Sequence, residues 1–245
     1  MRLQLMLCIL FGVWLHGVWL LSLPKQCGHT QGPGNSQLGA FISAALRLVS
    51  KTSAPLCVIE VGTADGSGTT MALNDALYRK CIPPGGRSFD ITSYEGIPEL
   101  AKVASERWAG HDNVHIVNEL MITEENIRKY VLPAIDAPDG DDFPGRGFYE
   151  RLYANAKRDF FHTSPVCGPV DLVLIDSTRY AHSGIIATLR NGLVHDDTVY
   201  VVEDDLGVRA ELEKHWRLRD VLAQHPSGEQ WPWIIFRIDN SFQTP

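Results

Sequence analysis

The chain has 245 residues, of which 44% are hydrophobic and 21% charged. This composition supplies a core for one ordinary globular domain and excludes a disordered chain. Lysine and arginine total 22 against 29 acidic residues, for a net charge of -7, and no basic cluster interleaved with aromatic residues occurs, which argues against a nucleic-acid partner.

The first 23 residues are the most apolar part of the chain. After Arg2, the stretch 3–23 contains Gln4, His16 and Ser22 as its clearly polar members. A helix of that length spans roughly 30 Å, the thickness of a bilayer core. An uncleaved signal anchor and a cleaved secretory signal both fit. Either one predicts that the domain lies in the secretory lumen, membrane-tethered, or is secreted.

A linker rich in glycine, proline and polar residues follows over 24–35, and the domain is predicted over 36–245. The predicted strands are 56–61, 88–95, 113–119, 170–176, 197–205 and 232–239, and the predicted helices are 38–50, 68–80, 97–110, 183–193 and 209–223. This alternation predicts a Rossmann-like, doubly wound α/β fold: a mostly parallel sheet with helices on both faces, preceded by the N-terminal hydrophobic helix.

A longer insertion over 123–169 separates the third and fourth predicted strands. It contains the run DAPDGDDFPGRG and an aromatic-rich predicted helix, FYERLYANAKRDFF. Long segments of this kind are often functional. We therefore expect it on the substrate side of a site, where its aromatic residues Phe143, Phe148, Tyr149 and Tyr153 either line the site or pack in the core.

Four cysteines lie beyond the apolar segment: Cys27, Cys57, Cys81 and Cys167. Cys57 and Cys167 precede predicted strands and Cys81 follows a predicted helix, so all three are expected at the edge of the sheet where the parallel strands begin. An oxidising compartment would allow two of them to pair, and three unpaired buried thiols are the alternative. The spacing leaves this choice open.

Acidic residues mark the ends of four predicted strands. Glu60 lies just inside the first strand, Glu95 ends the second, Asp176 ends the fourth, and Glu203 and Asp204 end the fifth. In open α/β sheets, ligands bind outside the carboxyl ends of the strands, where the strand order reverses. We therefore expect these acids on one rim.

The loop after the first strand carries glycines at positions 62, 66 and 68. A phosphate-binding P-loop requires Gly-Lys-Ser/Thr, and the lack of lysine in Gly68-Thr69-Thr70 excludes that class. A dinucleotide fingerprint requires G-x-G-x-x-G, but the spacing here is G-x-x-x-G-x-G. A nicotinamide-dependent oxidoreductase is therefore a weaker alternative. Outside the enzymes, the alternative is a non-catalytic luminal module that uses the fold for protein association.

The stretch VIEVGTADGSGTTMAL over 58–73 resembles motif I of class I S-adenosylmethionine-dependent methyltransferases, in the E-x-G-x-x-x-G form of the catechol O-methyltransferase-like branch. VDLVLIDSTRY and DTVYVVEDD resemble the metal-binding strands of that branch and of cephalosporin-biosynthesis methyltransferases. The resemblance extends from about Ser36 to the last predicted strand. It implies divalent-metal-assisted O-methylation of a small hydroxylated acceptor, with S-adenosylmethionine as the methyl donor.

The resemblance also implies roles for single residues. Gly62 and Gly66 would let the backbone approach the methionine portion, Glu95 would accept the ribose hydroxyls, and Glu119 to Ile122 would border the adenine, with Met121 as an apolar face. Glu60 would orient the loop or accept from the ammonium group. The full set of expected cofactor contacts is Glu60, Gly62, Thr63, Gly66, Glu95, Gly96, Glu119, Leu120, Met121 and Asp176.

Asp176, Glu203 and Asp204 form the metal set that the resemblance implies, with Asp205 in reserve, and their oxygen donors suit Mg²⁺ or another divalent cation. In the catechol branch a lysine base sits three residues past the first metal acid, but here that position is Arg179. Because arginine does not deprotonate, Arg179 is expected to hold an anionic group or the substrate oxygen. The expected catalytic residues are Asp176, Arg179 and His182, with His182 as the candidate base.

Overall fold

The computed structural model describes residues 35–49, 55–78, 88–135, 161–177, 181–203, 208–224 and 230–239. Within these ranges lies a seven-stranded sheet of β1 Leu56–Val61, β2 Phe89–Tyr94, β3 Val114–Val117, β4 Val170–Ile175, β5 Val194–Glu203, β6 Leu218–Gln224 and β7 Gln230–Ile238. The strand order is β3-β2-β1-β4-β5-β7-β6. The first five strands are parallel, and β7 runs antiparallel to both β5 and β6. The prediction of a mostly parallel, Rossmann-like sheet is confirmed.

Helices cover both faces of the sheet. They are α1 Asn35–Leu48, α2 Thr69–Tyr78, α3 Pro98–Trp108, α4 Glu124–Asn126, α5 Leu132–Ile135, α6 His182–Leu189 and α7 Val208–Glu213, with a π-helical turn over Ile127–Val131 between α4 and α5. One buried apolar cluster joins α1, α2 and the end of α3 to the sheet. The other joins the π-helical turn, α6 and α7 to the opposite face. This two-faced packing is the doubly wound arrangement.

The helix predicted over 209–223 is wrong in its second half. Helix α7 ends at Glu213, and β6 begins at Leu218 at the outer edge of the sheet. The segment is rich in leucine, arginine, alanine and glutamine, whose intrinsic preference is helical. Pairing with β7 overrides that preference. The pairing is irregular around Asp220, which has a positive φ of 55°, and Leu222 is 40% exposed.

Several sequence predictions fall on residues that the structure does not describe. Part of the 123–169 insertion is described: 124–135 is helical, and 161–169 is irregular chain with bends that leads into β4. The aromatic-rich helix and Cys81 lie outside the described residues. Within the described ranges, no helix is both long and apolar enough to cross a bilayer, and the apolar segment 3–23 lies outside them.

Cysteine pairing, which the sequence leaves open, is resolved for two residues. Cys57 at the start of β1 forms a disulfide with Cys167, three residues before β4, and their Cα atoms lie 5.5 Å apart. Cys57 also donates its backbone N–H to Asp171 Oδ2 at 2.9 Å. The covalent link therefore closes the amino-terminal edge of the sheet, opposite the rim that carries the acids.

Candidate functional site at the carboxyl ends of the strands

The strand register places four of the predicted site residues side by side. Val61 is level with Tyr94 of β2 and with Ile175 of β4, and Ile175 is level with Val202 of β5. Each of these four residues is followed by a predicted site residue: Val61 by Gly62, Tyr94 by Glu95, Ile175 by Asp176 and Val202 by Glu203. Neighbouring strands lie about 4.8 Å apart, so these residues form one row across the centre of the sheet.

The row crosses the point where the topology reverses. From β1 the chain moves outward to β2 and β3, and it then returns to β4 on the other side of β1. The cleft of a doubly wound sheet opens at such a position. Gly62 and Asp176 follow the two strands that flank this point.

The glycine loop is shaped by contacts within the protein. Gly62 has a φ of +97°, and a Cβ atom there would lie 1.7 Å from the carbonyl oxygen of Asp176. The Asp176 N–H donates to the Val61 carbonyl at 2.9 Å. The space that a Cβ would fill is taken by Asp176, so Gly62 lets the ends of β1 and β4 approach each other. The contact of Gly62 with the methionine portion of a cofactor stays a prediction.

Gly66 permits a second close approach, because a Cβ there would lie 2.7 Å from the indole Nε1 of Trp108. Trp108, at the end of α3, donates that N–H to the Gly66 carbonyl at 3.0 Å. Arg107 donates to the carbonyl of Asp65 at 2.9 Å and to its carboxylate at 3.0 Å. Helix α3 therefore holds the loop from the side.

Glu95 joins the glycine loop to the start of α3. Its Oε2 accepts the N–H of Ala64 at 2.8 Å, and its Oε1 accepts the N–H of Ile97 at 2.8 Å. The side chain is 8% exposed, and burial raises its pKa against the opposing backbone hydrogen bonds. These bonds fix the carboxylate, and a carboxylate has about four acceptor positions, so capacity for a ligand hydroxyl remains.

Glu60 lies beneath the row and is fully buried. Its Oε2 accepts the hydroxyl of Thr70 at 2.6 Å and that of Ser93, whose oxygen also contacts the hydroxyl of Thr63. Among the described residues, Oε1 has no partner in hydrogen-bonding geometry, although the hydroxyl of Thr69 also acts to lower the pKa of the carboxyl. Burial, with a smaller contribution from the nearby charge of Asp176, raises the pKa of Glu60 to about 7.

The residues after β3 are held by a different segment. Glu119 accepts the backbone N–H groups of His162 and Thr163 at 3.0 and 2.9 Å and also the Thr163 hydroxyl. Burial acts to raise the pKa of Glu119, but these hydrogen bonds lower it overall. Leu120 packs closely against Gly96: a Cβ atom added at position 96 would lie 2.2 Å from Cδ2 of Leu120.

Met121 was expected to offer an apolar face to the adenine. In the structure its side chain is 2% exposed and belongs to the core cluster beneath the rim. Leu120 is less buried than Met121 and contacts Gly96, the residue after Glu95.

The remaining predicted residues lie at the β4 and β5 ends. Asp176 and Glu203 are partly buried, and His182 is 2% exposed at the first position of α6. Arg179, Asp204 and Asp205 lie outside the described residues. A metal-binding group of three His, Cys, Asp or Glu residues does not occur within the described ranges.

Sequence reasoning missed the residues that hold the site in place. Arg107 and Trp108 lie near the end of the helix predicted over 97–110, and Thr163 lies in the insertion, so none of the three follows a strand. The only sequence signal for this contact was an arginine and a tryptophan about one turn before Gly110, where the predicted helix ends. The sequence does not show which loop these side chains contact.

Comparisons with known proteins give distant likenesses of fold. No family model matches the chain, and the search of curated proteins finds no relative. Among solved structures, a ribosomal protein L11 methylase from Lactobacillus delbrueckii subsp. bulgaricus is similar at 14% identity, with a TM-score of 0.44 over 84% of this chain and 80% of that one. Podospora anserina methyltransferase PaMTH1 with bound SAH gives 14% identity and a TM-score of 0.44 over 83% and 78%. Aeropyrum pernix fibrillarin, with natively bound S-adenosyl-L-methionine, gives 11% and 0.44 over 81% and 74%. Likenesses this distant assign neither family nor function.

The close approach of β1 and β4 can be tested at its glycine. Gly62→Ala would push a Cβ into the Asp176 carbonyl and strain a positive φ, so we expect a loss of more than about 3 kcal/mol in the free energy of unfolding. Gly68→Ala is the matched control in the same loop, because a Cβ there meets nothing within 4 Å. Urea unfolding of both variants makes the comparison, and equal stabilities would contradict the described loop.

Glu60 predicts a specific pH dependence of stability. Its pKa of about 7 in the folded protein lies above the ordinary glutamate value of 4.5, so folding takes up a proton when the pH lies between these two values. The free energy of unfolding must therefore fall as pH rises through this window. Glu60→Gln should flatten this fall, which amounts to roughly 2 to 3 kcal/mol.

Urea unfolding at pH 5, 6, 7 and 8 measures this effect. Glu99→Gln, at an exposed position in the first turn of α3, is the control and should keep the wild-type profile. An unchanged slope in Glu60→Gln would mean that Glu60 is ionised throughout.

Proposed function

We propose that the chain is an S-adenosylmethionine-dependent methyltransferase. The observation that carries the proposal is the register of the central strands, which sets Glu95, Asp176 and Glu203 level with the glycine loop at the topological switch point. A row of carboxyl groups favours a cationic ligand. S-adenosylmethionine is cationic at its sulfonium and ammonium groups, and its ribose diol matches a bidentate acceptor.

The described residues fit this cofactor. Glu95 is held by two backbone N–H groups and keeps acceptor positions for the ribose hydroxyls. Glu60 has an oxygen without a hydrogen bond among the described residues, which suits the methionine ammonium or a water bound to it. When bound, the cofactor supplies an electrophilic methyl group. Glu95 and the loop would fix its position, which is a large part of catalysis in a two-reactant transfer.

We further propose oxygen as the methylated atom, with a divalent cation at the β4 and β5 ends. Asp176 and Glu203 follow level residues of adjacent strands, and Asp204 completes the proposed set. Such oxygen donors suit Mg²⁺. The cation would lower the pKa of an acceptor hydroxyl, and Asp176 and Glu203 would set where that hydroxyl lies.

Two residues after β4 are proposed to act on the acceptor. Arg179 would hold an anionic group or the acceptor oxygen, since its guanidinium remains charged. His182 at the start of α6 would take the acceptor proton, a role that suits imidazole near neutral pH. A small hydroxylated molecule is the proposed acceptor, because the net charge of -7 disfavours a nucleic acid.

A location in the secretory pathway is also part of the proposal. The apolar segment over 3–23 would act as a signal anchor or as a cleaved signal. The Cys57–Cys167 disulfide supports this placement, because structural disulfides persist in oxidising compartments.

Cofactor binding is tested by calorimetry with S-adenosylhomocysteine on the purified full-length chain. Glu95→Gln removes the charge that would accept the ribose hydroxyls, and we expect a loss of about 1 to 3 kcal/mol, roughly 5- to 150-fold in Kd. Glu99→Gln makes the same charge change four residues away on the surface and should bind as wild type does. No heat in wild type would favour an association module, and heat from NADH in its place would favour an oxidoreductase.

The proposed cation has its own test. With a panel of catechols and other small phenols, excess EDTA should abolish release of S-adenosylhomocysteine but leave cofactor binding nearly intact, and Mg²⁺ should restore turnover. Asp176→Asn should weaken Mn²⁺ binding followed by electron paramagnetic resonance. Undiminished turnover in EDTA would reject the cation and leave methyl transfer standing.

A further inference from the structure

Residues 161–167 form an irregular segment, here called the strap, that contacts β2 along its length. The Thr163 carbonyl accepts the hydroxyl of Tyr94 at 2.8 Å, and Val166 donates its N–H to the hydroxyl of Thr92 at 3.2 Å. Cys167 Sγ lies 3.7 Å from the carbonyl of Asp90. These partners are alternate residues of β2, so the strap runs along that strand from the rim to the opposite edge.

At the rim end of the strap, donors from His162 and Thr163 fill the hydrogen-bond acceptor positions of the Glu119 carboxylate. Oε2 accepts the N–H groups of His162 and Thr163, and Oε1 accepts the Thr163 hydroxyl and lies 3.1 Å from His162 Nε2. A carboxylate offers about four acceptor positions, and four donors surround this one. Glu119 is therefore an anchor for the strap and has no capacity left for a ligand, in contrast to Glu95.

The lower end of the strap is fixed covalently. Cys167 is bonded to Cys57 of β1, and Cys57 is level with Asp90 of β2. The strap is thus fastened at one end by four polar contacts and at the other by a disulfide.

The anchored acid adjoins the proposed nucleoside site. Leu120, the next residue after Glu119, packs against Gly96, and Gly96 follows Glu95. Asn118, on the other side of Glu119, donates its side-chain N–H to the Glu95 carbonyl at 2.8 Å. Both neighbours of Glu119 therefore touch the Glu95–Gly96 corner, so a shift of Glu119 would be transmitted to it.

We propose that the disulfide-tethered strap positions the nucleoside side of the cofactor site, with Glu119 and Thr163 as positioning residues. This inference rests on the proposed function. In the oxidised chain the strap holds the segment after β3 against Gly96. Reduction of Cys57–Cys167 frees the lower end of the strap, loosens its grip on Glu119 and weakens binding of adenosyl ligands.

The test uses the full-length chain and two readouts. Amide hydrogen exchange at His162 and Thr163 reports whether the strap is docked, and calorimetry with S-adenosylhomocysteine reports the site. Dithiothreitol, or the paired change Cys57→Ser with Cys167→Ser, should speed exchange at both amides and raise Kd about tenfold. Reductant should add nothing in the double variant.

A milder pair of variants avoids the disulfide. Thr163→Val removes one hydroxyl donor to a charged acceptor, so we expect a three- to tenfold rise in Kd. Thr163→Ser keeps the hydroxyl and should restore wild-type binding. If Thr163 had a purely structural role, Thr163→Val would lower the melting temperature, but the Kd values of the valine and serine variants would not differ.

The outcomes separate the strap from the proposed function. Faster exchange at His162 and Thr163 with an unchanged Kd would overturn the positioning role. Protection that survives reduction would overturn the tether. Failure of the untreated wild-type chain to bind S-adenosylhomocysteine would reject the proposed function, and the coupling with it, while hydrogen exchange would still show whether the strap is docked.

Discussion

The candidate site depends on how closely the ends of β1 and β4 approach each other. The Asp176 N–H bonds to the Val61 carbonyl, and the Asp176 carbonyl occupies the space where residue 62 would carry a Cβ. With any other residue at position 62, the two strand ends would have to separate. The level register of Glu95, Gly62, Asp176 and Glu203 follows from this contact and from the parallel pairing on either side of it.

That register concentrates negative charge where the protein can least solvate it. Glu60 and Glu95 are both buried, and burial raises the pKa of each. The hydroxyls around Glu60 and the backbone N–H groups around Glu95 offset part of the cost. Arg107, a cation beside the loop, is already bonded to Asp65. A proton or a bound cation would relieve the remaining repulsion, which is the electrostatic reason to expect a positively charged ligand.

Much of this arrangement could be predicted from the sequence, because buried parallel strands appear as continuous apolar runs with their polar residues at the ends. Strands β1 to β5 and the acid row follow from that rule. Strand β6 does not, since an edge strand of helix-favouring residues is decided by its pairing with β7. The local sequence of β6 does not show that β7 will pair with it.

The site details that escaped prediction share the same cause. The sequence shows that residue 62 is glycine, but the reason, a carbonyl 114 positions later, exists only in the fold. The resemblance implies that Glu119 borders the adenine, which stays a prediction, and the structure shows donors from Thr163 and His162 of the insertion at its carboxylate oxygens. A sequence pattern predicts well which residues lie at the strand ends. It does not predict which parts of the chain already form hydrogen bonds with those residues.

The two sides of the Glu95 corner are stabilised by different physical means. On the α3 side, Arg107 and Trp108 hold the glycine loop through hydrogen bonds, and the Arg107–Asp65 pair is partly exposed and open to screening by salt. On the β3 side, the strap is held by a buried carboxylate and a covalent bond. Salt should therefore weaken the Arg107–Asp65 pair and leave the strap docked, whereas a reductant should act on the strap first. The two sides of the corner would accordingly respond to different solution conditions, although Glu95 contacts both of them.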